Sequence, residues 1–443
     1  MLMIQKFFDL SNKNTTVRKE MLAGLTTFMT MAYVLVVQPS AMVGFGPEQS
    51  FTDINGLVIS KASILIMTAL ISGLVTLIMA LYANVPFALS TGMGTNFLFS
   101  GLLRSETLSF GNVMAITLIS GMIFVVLSLF GIRDLIVRLI PANIKTSISV
   151  VIGFYIVYLG FKNSGLGDFS EGIGLGNLSD PSVFLTILGI LIIAILSAYK
   201  VTGALLIGII AITIISIPFG ITALPESVAE LPDVSGLKSV MFSYDFKGLI
   251  SGNTLVLVFI AFFGDFFSTL GTVLGVAQKA DLLDENGNYP TIQKPFIVDA
   301  FGTVLGSAFG CTTITTFVES SSGVEAGGRT GLTSLTTSLL FFTSMLFAPI
   351  FLMIPDAATS PALIFVGFSM ISAVSKIDFS NFVESFGPFI MIIFTIFTAG
   401  MATGISAGIL ADVAIKTFTK TEHKVHFGMY LLSIPLIMYF IFQ

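Results

Sequence analysis

The sequence of 443 residues is poor in cysteine, tryptophan, histidine and charge. Because Cys311 is the single cysteine, no intramolecular disulfide can form, and the spacings typical of cysteine-based zinc sites are absent. The two histidines, His423 and His426, stand close to the C-terminus, so a histidine-based catalytic centre in the apolar part of the chain is not expected. Charged residues make up 10% of the chain, whereas soluble domains carry about 25%. This composition excludes a soluble globular protein.

Long apolar runs fill the chain from Met21 onwards, and the mean hydropathy is +0.98. Apolar runs of about 18 or more residues with few charges are typical of membrane-spanning helices. We therefore predict an all-α polytopic membrane protein with seven spans, an acid-rich linker, and then seven or eight more. The predicted segments are 21–43, 60–82, 86–103, 112–132, 146–162, 182–198 and 201–222, followed by 252–278, 295–309, 311–323, 330–354, 360–374, 382–398, 401–418 and 425–442.

The placement of basic residues predicts the orientation of these spans. Four basic residues precede Met21, which favours a cytoplasmic N-terminus by the positive-inside rule. The polar start, residues 1–20, is too long for a signal peptide, so no cleavage is expected. With this orientation, the loops after the fourth, sixth, eighth and tenth spans are cytoplasmic, and each contains basic residues. These are Arg133, Arg138 and Lys145, then Lys200, then Lys279 and Lys294, and finally Arg329.

Hydropathy alone does not show where the apolar stretch near the C-terminus divides into separate helices. A single helix over residues 381–418 would be about 57 Å long, whereas the apolar part of a bilayer is about 30 Å thick. We therefore expect a break at Gly400–Gly404. The last run, 425–442, is either a further span or a helix that lies on the membrane.

An odd number of spans in each half gives the two halves opposite orientations, as in many secondary transporters. Such folds bind substrate near the midplane, where interrupted helices meet. Each half contains one segment rich in Gly, Ser and Thr, namely Pro86–Asn96 and Gly310–Gly323. We predict that the third and tenth spans are interrupted there. The alternative is that the small residues only let helices pack closely.

Two carboxylates in the predicted spans, Asp265 and Glu319, are the strongest candidates for function. An ionisable residue inside a span is costly and is a functional-site hypothesis by default. Neither residue has a cation close by in the sequence. Such carboxylates can accept N–H groups from a heterocyclic substrate and can hold a coupled proton. The alternative is that each one pairs with a cation for structural reasons.

Four further polar residues are interpreted one by one. The amide of Asn96 has one acceptor and two donors and can make a two-point contact with a base, although it could equally be a turn residue. Asp299 lies near Lys294 in the sequence, and we interpret it as structural. Asp412 and Lys416 are four residues apart on a predicted helix and are expected to pair.

At these positions the sequence resembles the AzgA-like purine permeases of the second nucleobase–cation symporter family. The similarity covers nearly the whole chain and thins after residue 360. The most specific stretch is Thr315–Leu332 (TTFVESSSGVEAGGRTGL). The other matching stretches are Ala23–Pro39 (AGLTTFMTMAYVLVVQP), Ala83–Leu89 (ANVPFAL), Gly92–Asn96 (GMGTN), Gly271–Ala277 (GTVLGVA) and Leu283–Gly287 (LDENG).

The resemblance implies a UraA-like fold of about fourteen spans in two inverted repeats, with a core domain that moves against a gate domain as an elevator. In this sequence the repeats are 21–222 and 251–443, joined by an extracellular linker at 223–250. The core domain would comprise approximately 21–132 and 251–354. The gate domain would comprise approximately 146–222 and 360–443 and would hold a homodimer contact.

The resemblance also implies proton-coupled import of adenine, guanine, hypoxanthine or xanthine across the cell membrane. In the family, substrate is held at the positions of Asn96, Asp265 and Glu319, of which Asp265 and Glu319 are the predicted proton-coupling residues. No metal, organic cofactor or nucleic acid is expected, and membrane lipids surround the protein. The predicted substrate site also includes Ser268, Thr95, Thr316 and Ser320.

Two departures from the family pattern fall at this site. A second Asp usually follows the first after two residues, and here that position is Ser268. Ala-Pro usually precedes Gly-Met-Gly, and here Ser90 and Thr91 do. These changes leave open a carrier of the same fold with another cargo, such as a pyrimidine or a small anion, although two acidic residues would repel an anion. An intramembrane enzyme or receptor is disfavoured, because the spans contain no nucleophile–base pair or metal-ligand cluster.

Overall fold

A computed structural model describes residues 2–46, 48–130, 141–169, 173–247, 249, 252–284, 289–419 and 425–442. Arg133, Arg138 and His423 lie outside these residues. Among the described residues, nine helices are long and apolar enough to cross a membrane, which confirms a polytopic membrane protein. The first half contains helices α1 (Leu2–Phe7), α2 (Val17–Met31), α3 (Val34–Val43), α4 (Lys61–Ile78), α5 (Met93–Arg104), α6 (Phe110–Leu129), α7 (Ala142–Asn163), α8 (Pro181–Ala198) and α9 (Ala204–Ser216).

The linker and the second half are also mainly helical. Within the linker, helix α10 (Val234–Val240) is an element that the sequence analysis did not predict. The helices that follow are α11 (Gly252–Lys279), α12 (Gln293–Ala308), α13 (Ser320–Glu325), α14 (Gly331–Ser344), α15 (Ala348–Leu352), α16 (Asp356–Ile371), α17 (Phe382–Thr398), α18 (Met401–Phe418) and α19 (Phe427–Phe442).

Two three-residue strands confirm the predicted interruptions of the third and tenth spans. Strand β3 (Leu89–Thr91) pairs antiparallel with β6 (Ile314–Thr316), and Ser90 lies opposite Thr315. The β-branched threonines favour the extended backbone, and helix α5 begins directly after Gly92. The remaining strands form two short hairpins outside the spanning helices: β1 (Ser50–Thr52) with β2 (Val58–Ser60), and β4 (Gly167–Asp168) with β5 (Gly174–Leu175).

The first predicted span, 21–43, is confirmed, since it lies within one apolar segment, Val17–Val43, but that segment is divided into two helices. Helix α2 ends at Met31 and α3 begins at Val34. The turn between them is tight, because Leu35 N donates to Ala32 O and Val36 N donates to Tyr33 O, both at 3.1 Å. Tyr33 lies at this turn and is 1% exposed.

The predicted break in the C-terminal region is confirmed. Helix α17 ends at Thr398 and α18 begins at Met401, so the break at Ala399 and Gly400 lies at the start of the predicted range. Ala399 adopts a left-handed conformation with φ +49°. The last helix, α19, packs against α11 and α18 through buried Met429 and Leu436.

Helix packing repeats with the symmetry expected of inverted repeats. Helix α14 of the second half packs against α2 and α4 of the first, and α6 of the first half packs against α11 and α12 of the second. Likewise, α16 packs against α8 while α17 packs against α7, and α7 and α16 pack against each other. Each of these contacts joins a helix of one half to a helix of the other, and each has a counterpart in which the halves are exchanged.

Glycines allow the close contact between α17 and α18. A Cβ on Gly408 would meet Met391 Cβ and would lie 2.8 Å from Gly387 O, and a Cβ on Gly404 would meet Thr395 and the carbonyl of Met391. This spacing of small residues is a common packing motif in membrane helices.

We expect Gly408→Val to lower stability, because the added side chain must push α17 and α18 apart. Overpacking of this kind costs about 1–3 kcal/mol. The measurement is thermal unfolding of the purified protein in detergent. Gly275→Ala is the matched control, because a Cβ at Gly275 would meet no atom within 4 Å. An unchanged unfolding temperature for Gly408→Val would contradict the described contact.

Candidate functional site

A cavity of about 1290 Å³ lies where the two interrupted spans meet. Helices α11, α7 and α16 contribute further walls. The polar and aromatic residues that line it and could contact a ligand are Thr30, Tyr33, Thr95, Asp265, Phe267, Ser268, Thr313, Thr315, Thr316, Phe317 and Glu319. The cavity therefore combines aromatic faces with carboxylates and hydroxyls, a composition suited to a polar heterocycle.

Glu319 immediately precedes helix α13 and lines the cavity. Its Oε1 accepts a hydrogen bond of 3.0 Å from the Tyr33 hydroxyl. The break between α2 and α3 places Tyr33 there, so the sequence analysis had no signal for this partner. The carboxylate also accepts a hydrogen bond from the backbone N–H of Glu319 itself, so its hydrogen-bond partners recorded among the described residues are neutral.

Asp265 lies in the middle of α11 and is 2% exposed. Its Oδ2 accepts a hydrogen bond of 2.7 Å from Thr303 Oγ1 on α12. Its Oδ1 is buried and has no hydrogen-bond partner among the described residues. Since Asp265 also lines the cavity, this oxygen is an acceptor that a bound molecule can use.

Asp299, which the sequence analysis interpreted as structural, holds strand β6. Its carboxylate accepts Thr269 Oγ1 at 2.6 Å, Thr316 N at 2.7 Å and Thr316 Oγ1 at 2.8 Å. These three donors confirm the structural interpretation. The predicted pair of Asp412 and Lys416 is also present, at 3.0 Å.

The beginning of helix α5 forms another part of the cavity wall. Gly92, Met93, Gly94 and Thr95 all line the cavity. The first N–H groups of a helix have no partner within the helix and are ready donors for a bound acceptor. The hydroxyl of Thr95 donates to Gly92 O at 3.0 Å and is also bonded to the hydroxyl of Thr313, so this turn is tied to the other interrupted span.

Two residues of the predicted substrate site do not line the cavity in the described part of the chain. Asn96 is fully buried, and its Oδ1 accepts a hydrogen bond from Thr312. Ser320 is fully buried as well, and its Oγ accepts a 3.0 Å hydrogen bond from Ala88 N. Both therefore join one interrupted span to the other in this conformation. The other predicted residues, Ser268 and Thr316 included, do line the cavity.

Charged residues lie at one end of the cavity. Lys200, Lys279 and Lys376 line this end together with Glu325. Lys279 and Glu325 form an exposed ion pair of 2.6 Å. Since Lys200 and Lys279 belong to loops predicted to be cytoplasmic, the cavity opens on the predicted cytoplasmic side.

A second, smaller cavity of about 650 Å³ lies among the opposite ends of these helices. Gly46, Lys61 and Asp356 line it. Lys61 Nζ donates to Gly46 O at 2.8 Å, and the backbone of Gly46 also contributes a hydrogen bond to Asp356. The loop after α3 is thereby fastened to the start of α16.

The chain matches the Permease family (Xan_ur_permease) over residues 18–407. The guanine/hypoxanthine permease PbuO of Bacillus subtilis is 34% identical over 431 residues, which cover 95% of this chain and 96% of that protein. The adenine permease AdeQ of Escherichia coli is 32% identical over 419 residues, covering 94% of this chain and 91% of that protein. The similarity to these permeases therefore extends over almost the full length.

Among solved structures, the transmembrane domain of the cyanobacterium bicarbonate transporter BicA is similar to this fold. The TM-score is 0.63, with 15% sequence identity, and the match covers 87% of this chain and 96% of that chain. At this identity the likeness concerns the fold alone. It agrees with the predicted class of membrane fold, two inverted repeats with interrupted spans.

The contact of Ser320 gives a prediction that separates a structural role from substrate binding. Ser320→Ala leaves the buried N–H of Ala88 without its acceptor, which costs about 1–3 kcal/mol. We expect a lower unfolding temperature in detergent. Ser322→Ala is the control, because Ser322 lines the cavity. A Ser320→Ala protein that unfolds like wild type but loses ligand binding would instead make Ser320 a substrate residue.

Proposed function

The chain belongs to the Permease family, and we propose from this membership and from the cavity that it imports purine bases together with protons. It is a multi-pass membrane protein of a transporter family rather than an enzyme family. The observation that carries the proposal is the pair of carboxylates, Asp265 and Glu319, in a cavity where the two interrupted spans meet. The names of the similar permeases supply the cargo class, purine bases.

The shape and polarity of the cavity support a purine as the bound molecule. Glu319 and Asp265 each present a carboxyl oxygen that can accept an N–H group of the base. The N–H groups at the start of α5 can donate to ring nitrogens or exocyclic oxygens. Phe267 and Phe317 line the same cavity, and their faces can stack on a planar ring. Asn96 supports this wall by holding Thr312.

Proton coupling is supported by the surroundings of the two carboxyl groups. Each is bonded to a hydroxyl, Asp265 to Thr303 and Glu319 to Tyr33, and a hydroxyl can either donate or accept. A carboxyl group with such a partner can keep its hydrogen bond with or without a proton. We therefore assign the coupled proton to this pair of residues, with Asp265 as the principal carrier.

Alternating access by an elevator movement is supported by the helix packing. The core domain would comprise approximately 21–132 and 251–354, and the gate domain approximately 146–222 and 360–443. The cavity lies between these two groups and is open at the end with Lys200 and Lys279. With a cytoplasmic N-terminus, this is an inward-facing conformation. The fastening of Asp356 to Gly46 then closes the outer side, and a homodimer contact would lie on the gate domain.

A pyrimidine is the second cargo that the site could take. Ser268 stands on the cavity wall where the family pattern has a second acid, so one acceptor for exocyclic groups is replaced by a hydroxyl. A small anion is disfavoured, because two carboxylates face the same space.

Glu319→Gln tests the site directly. The amide has the size of the carboxylate but presents a donor where an acceptor is needed, so we expect loss of purine uptake with normal amounts of protein in the membrane. Glu325→Gln is the matched control. Its exposed ion pair with Lys279 is worth about 0–1 kcal/mol, so uptake should persist. Normal transport by Glu319→Gln would remove Glu319 from the substrate site.

Labelling of single cysteines tests the orientation. We expect Ser372→Cys, at the charged end of the cavity, to react with a membrane-impermeant maleimide only from the cytoplasmic side, and a bound purine to slow the reaction. Glu230→Cys in the linker should react only from outside. Cys311 is buried and gives little background. Reaction of Ser372→Cys from outside in intact cells would contradict the proposed orientation.

A further inference from the structure

Helices α11 and α12 carry the same two-residue pattern and bind each other through it. Asp265 and Thr269 are four residues apart on α11, and Asp299 and Thr303 are four residues apart on α12. The hydroxyl of Thr303 bonds Asp265 at 2.7 Å, and the hydroxyl of Thr269 bonds Asp299 at 2.6 Å. Each aspartate is therefore bonded to the threonine of the other helix, and all four side chains are buried.

This reciprocal arrangement also holds strand β6. Ile314 faces Thr91 across the strand pair. The hydrogen bonds between the strands run from Gly92 N to Thr313 O and from Phe317 N to Ala88 O. Because hydrogen-bonded pairs alternate along antiparallel strands, the backbone groups of Ile314 point away from β3. Thr303 Oγ1 serves both groups of Ile314: it accepts from Ile314 N at 3.0 Å and lies 3.1 Å from Ile314 O.

The two aspartates differ in how their oxygens are satisfied. Asp299 receives three donors, which is the environment of a stable carboxylate. Asp265 receives Thr303 alone, and its second oxygen has no partner among the described residues. An ionised carboxylate in that environment would be poorly satisfied, whereas a neutral carboxyl group would not.

The direction in which the Thr303 hydroxyl donates its single hydrogen depends on whether Asp265 is protonated or ionised. When Asp265 carries a proton on Oδ2, it donates to Thr303 Oγ1, and the Thr303 hydrogen is free to point to Ile314 O. When the proton leaves through the cavity, the Thr303 hydrogen must turn to Asp265, and Ile314 O loses that donor. One hydroxyl thus exchanges a bond to the strand for a bond to the carboxylate.

The other half of the molecule contains the same contact without the acid. Thr76 on α4 accepts from Leu89 N at 3.0 Å and donates to Leu89 O at 3.2 Å, as Thr303 does for Ile314. The described contacts of the Thr76 hydroxyl are with Leu89 alone, so its hydrogen can stay on the strand. Thr76 is therefore a built-in control for the structural part of the contact.

The titratable groups on the elements that pack against Asp265 are not its hydrogen-bond partners in the described part of the chain. The helices and strand that pack against α11 are α5, α6, α7, α12, α13, α18, α19 and β6. Within hydrogen-bond reach of Asp265, the described residues offer Thr303 and no basic side chain. The titratable residues on these elements, beside them or on α11 itself are Tyr33, Arg104, Lys145, Tyr155, Tyr158, Lys162, Lys279, Lys294, Asp299, Glu319, Glu325, Asp412, Lys416, Tyr430 and Tyr439.

We propose that Thr303 is a positioning residue that transmits the protonation state of Asp265 to strand β6, while Asp299 remains the resident carboxylate. This inference rests on the proposed function, proton-coupled purine import. Loss of the proton weakens the hold of α12 on β6, next to Thr315 and Thr316 of the cavity wall. Release of the proton and release of the base are thereby linked through one hydroxyl.

The test compares Thr303→Val, Thr303→Ser and Thr76→Val in proteoliposomes of purified protein. Two quantities are measured with a labelled purine that wild type carries: accumulation driven by an imposed proton gradient, and exchange against unlabelled purine without a gradient. We expect Thr303→Val to lose driven accumulation by roughly tenfold or more, the effect of one hydrogen bond to a charged group, and to keep exchange. Thr303→Ser should restore accumulation, and Thr76→Val should keep the wild-type ratio of accumulation to exchange.

Three results would overturn the inference. Wild-type accumulation by Thr303→Val would show that the hydroxyl transmits nothing. An equal loss of accumulation and exchange in Thr303→Val would make the contact merely structural. The same ratio of accumulation to exchange in Thr303→Val and Thr76→Val would lead to the same conclusion. A wild-type protein that exchanges purine without any effect of the proton gradient would refute the coupling itself. In that case the proposed function fails first, and the inference fails with it.

Discussion

The pairing of strand β3 with strand β6 is the interaction on which the rest of the site depends. Apolar surroundings do not satisfy backbone N–H and C=O groups, so a helix can be interrupted inside a membrane only where protein supplies the missing partners. Here the two interruptions supply partners for each other, with Ser90 opposite Thr315. Thr76, Thr303 and Asp299 satisfy outward-facing N–H groups of the two strands, and the space left between the broken helices becomes the cavity.

This constraint explains why several hydroxyl residues near the cavity bond the backbone of the interrupted spans. Thr76 and Thr303 each serve one strand, and Ser320 bonds Ala88 across the strand pair. The two halves differ mainly in their acids. Asp265, Asp299 and Glu319 all belong to the second repeat, whereas the first contributes the beginning of α5 and Tyr33. A symmetric scaffold therefore carries an asymmetric site.

Much of this could be predicted from the sequence, because hydropathy and composition report directly on spans and on their interruptions. A break near Gly400 and the exceptional position of Asp265 followed from helix length and from the cost of a buried charge. The break at Tyr33 did not, since nothing in an apolar run signals a tight turn. The same limit applies to Asn96 and Ser320. Their side chains could form hydrogen bonds with a ligand or with the other interrupted span, and only the fold decides which partner they meet.

The most direct test of the central claim is uptake of labelled adenine, guanine, hypoxanthine, xanthine and uracil by cells that lack their own base permeases. Each base is measured with and without a proton uncoupler. The account predicts uptake of one or more purines that collapses when the uncoupler is added. No purine uptake, in cells where the protein is shown to reach the membrane, would contradict it and would mean that the site, with Ser268 in place of a second acid, serves another cargo.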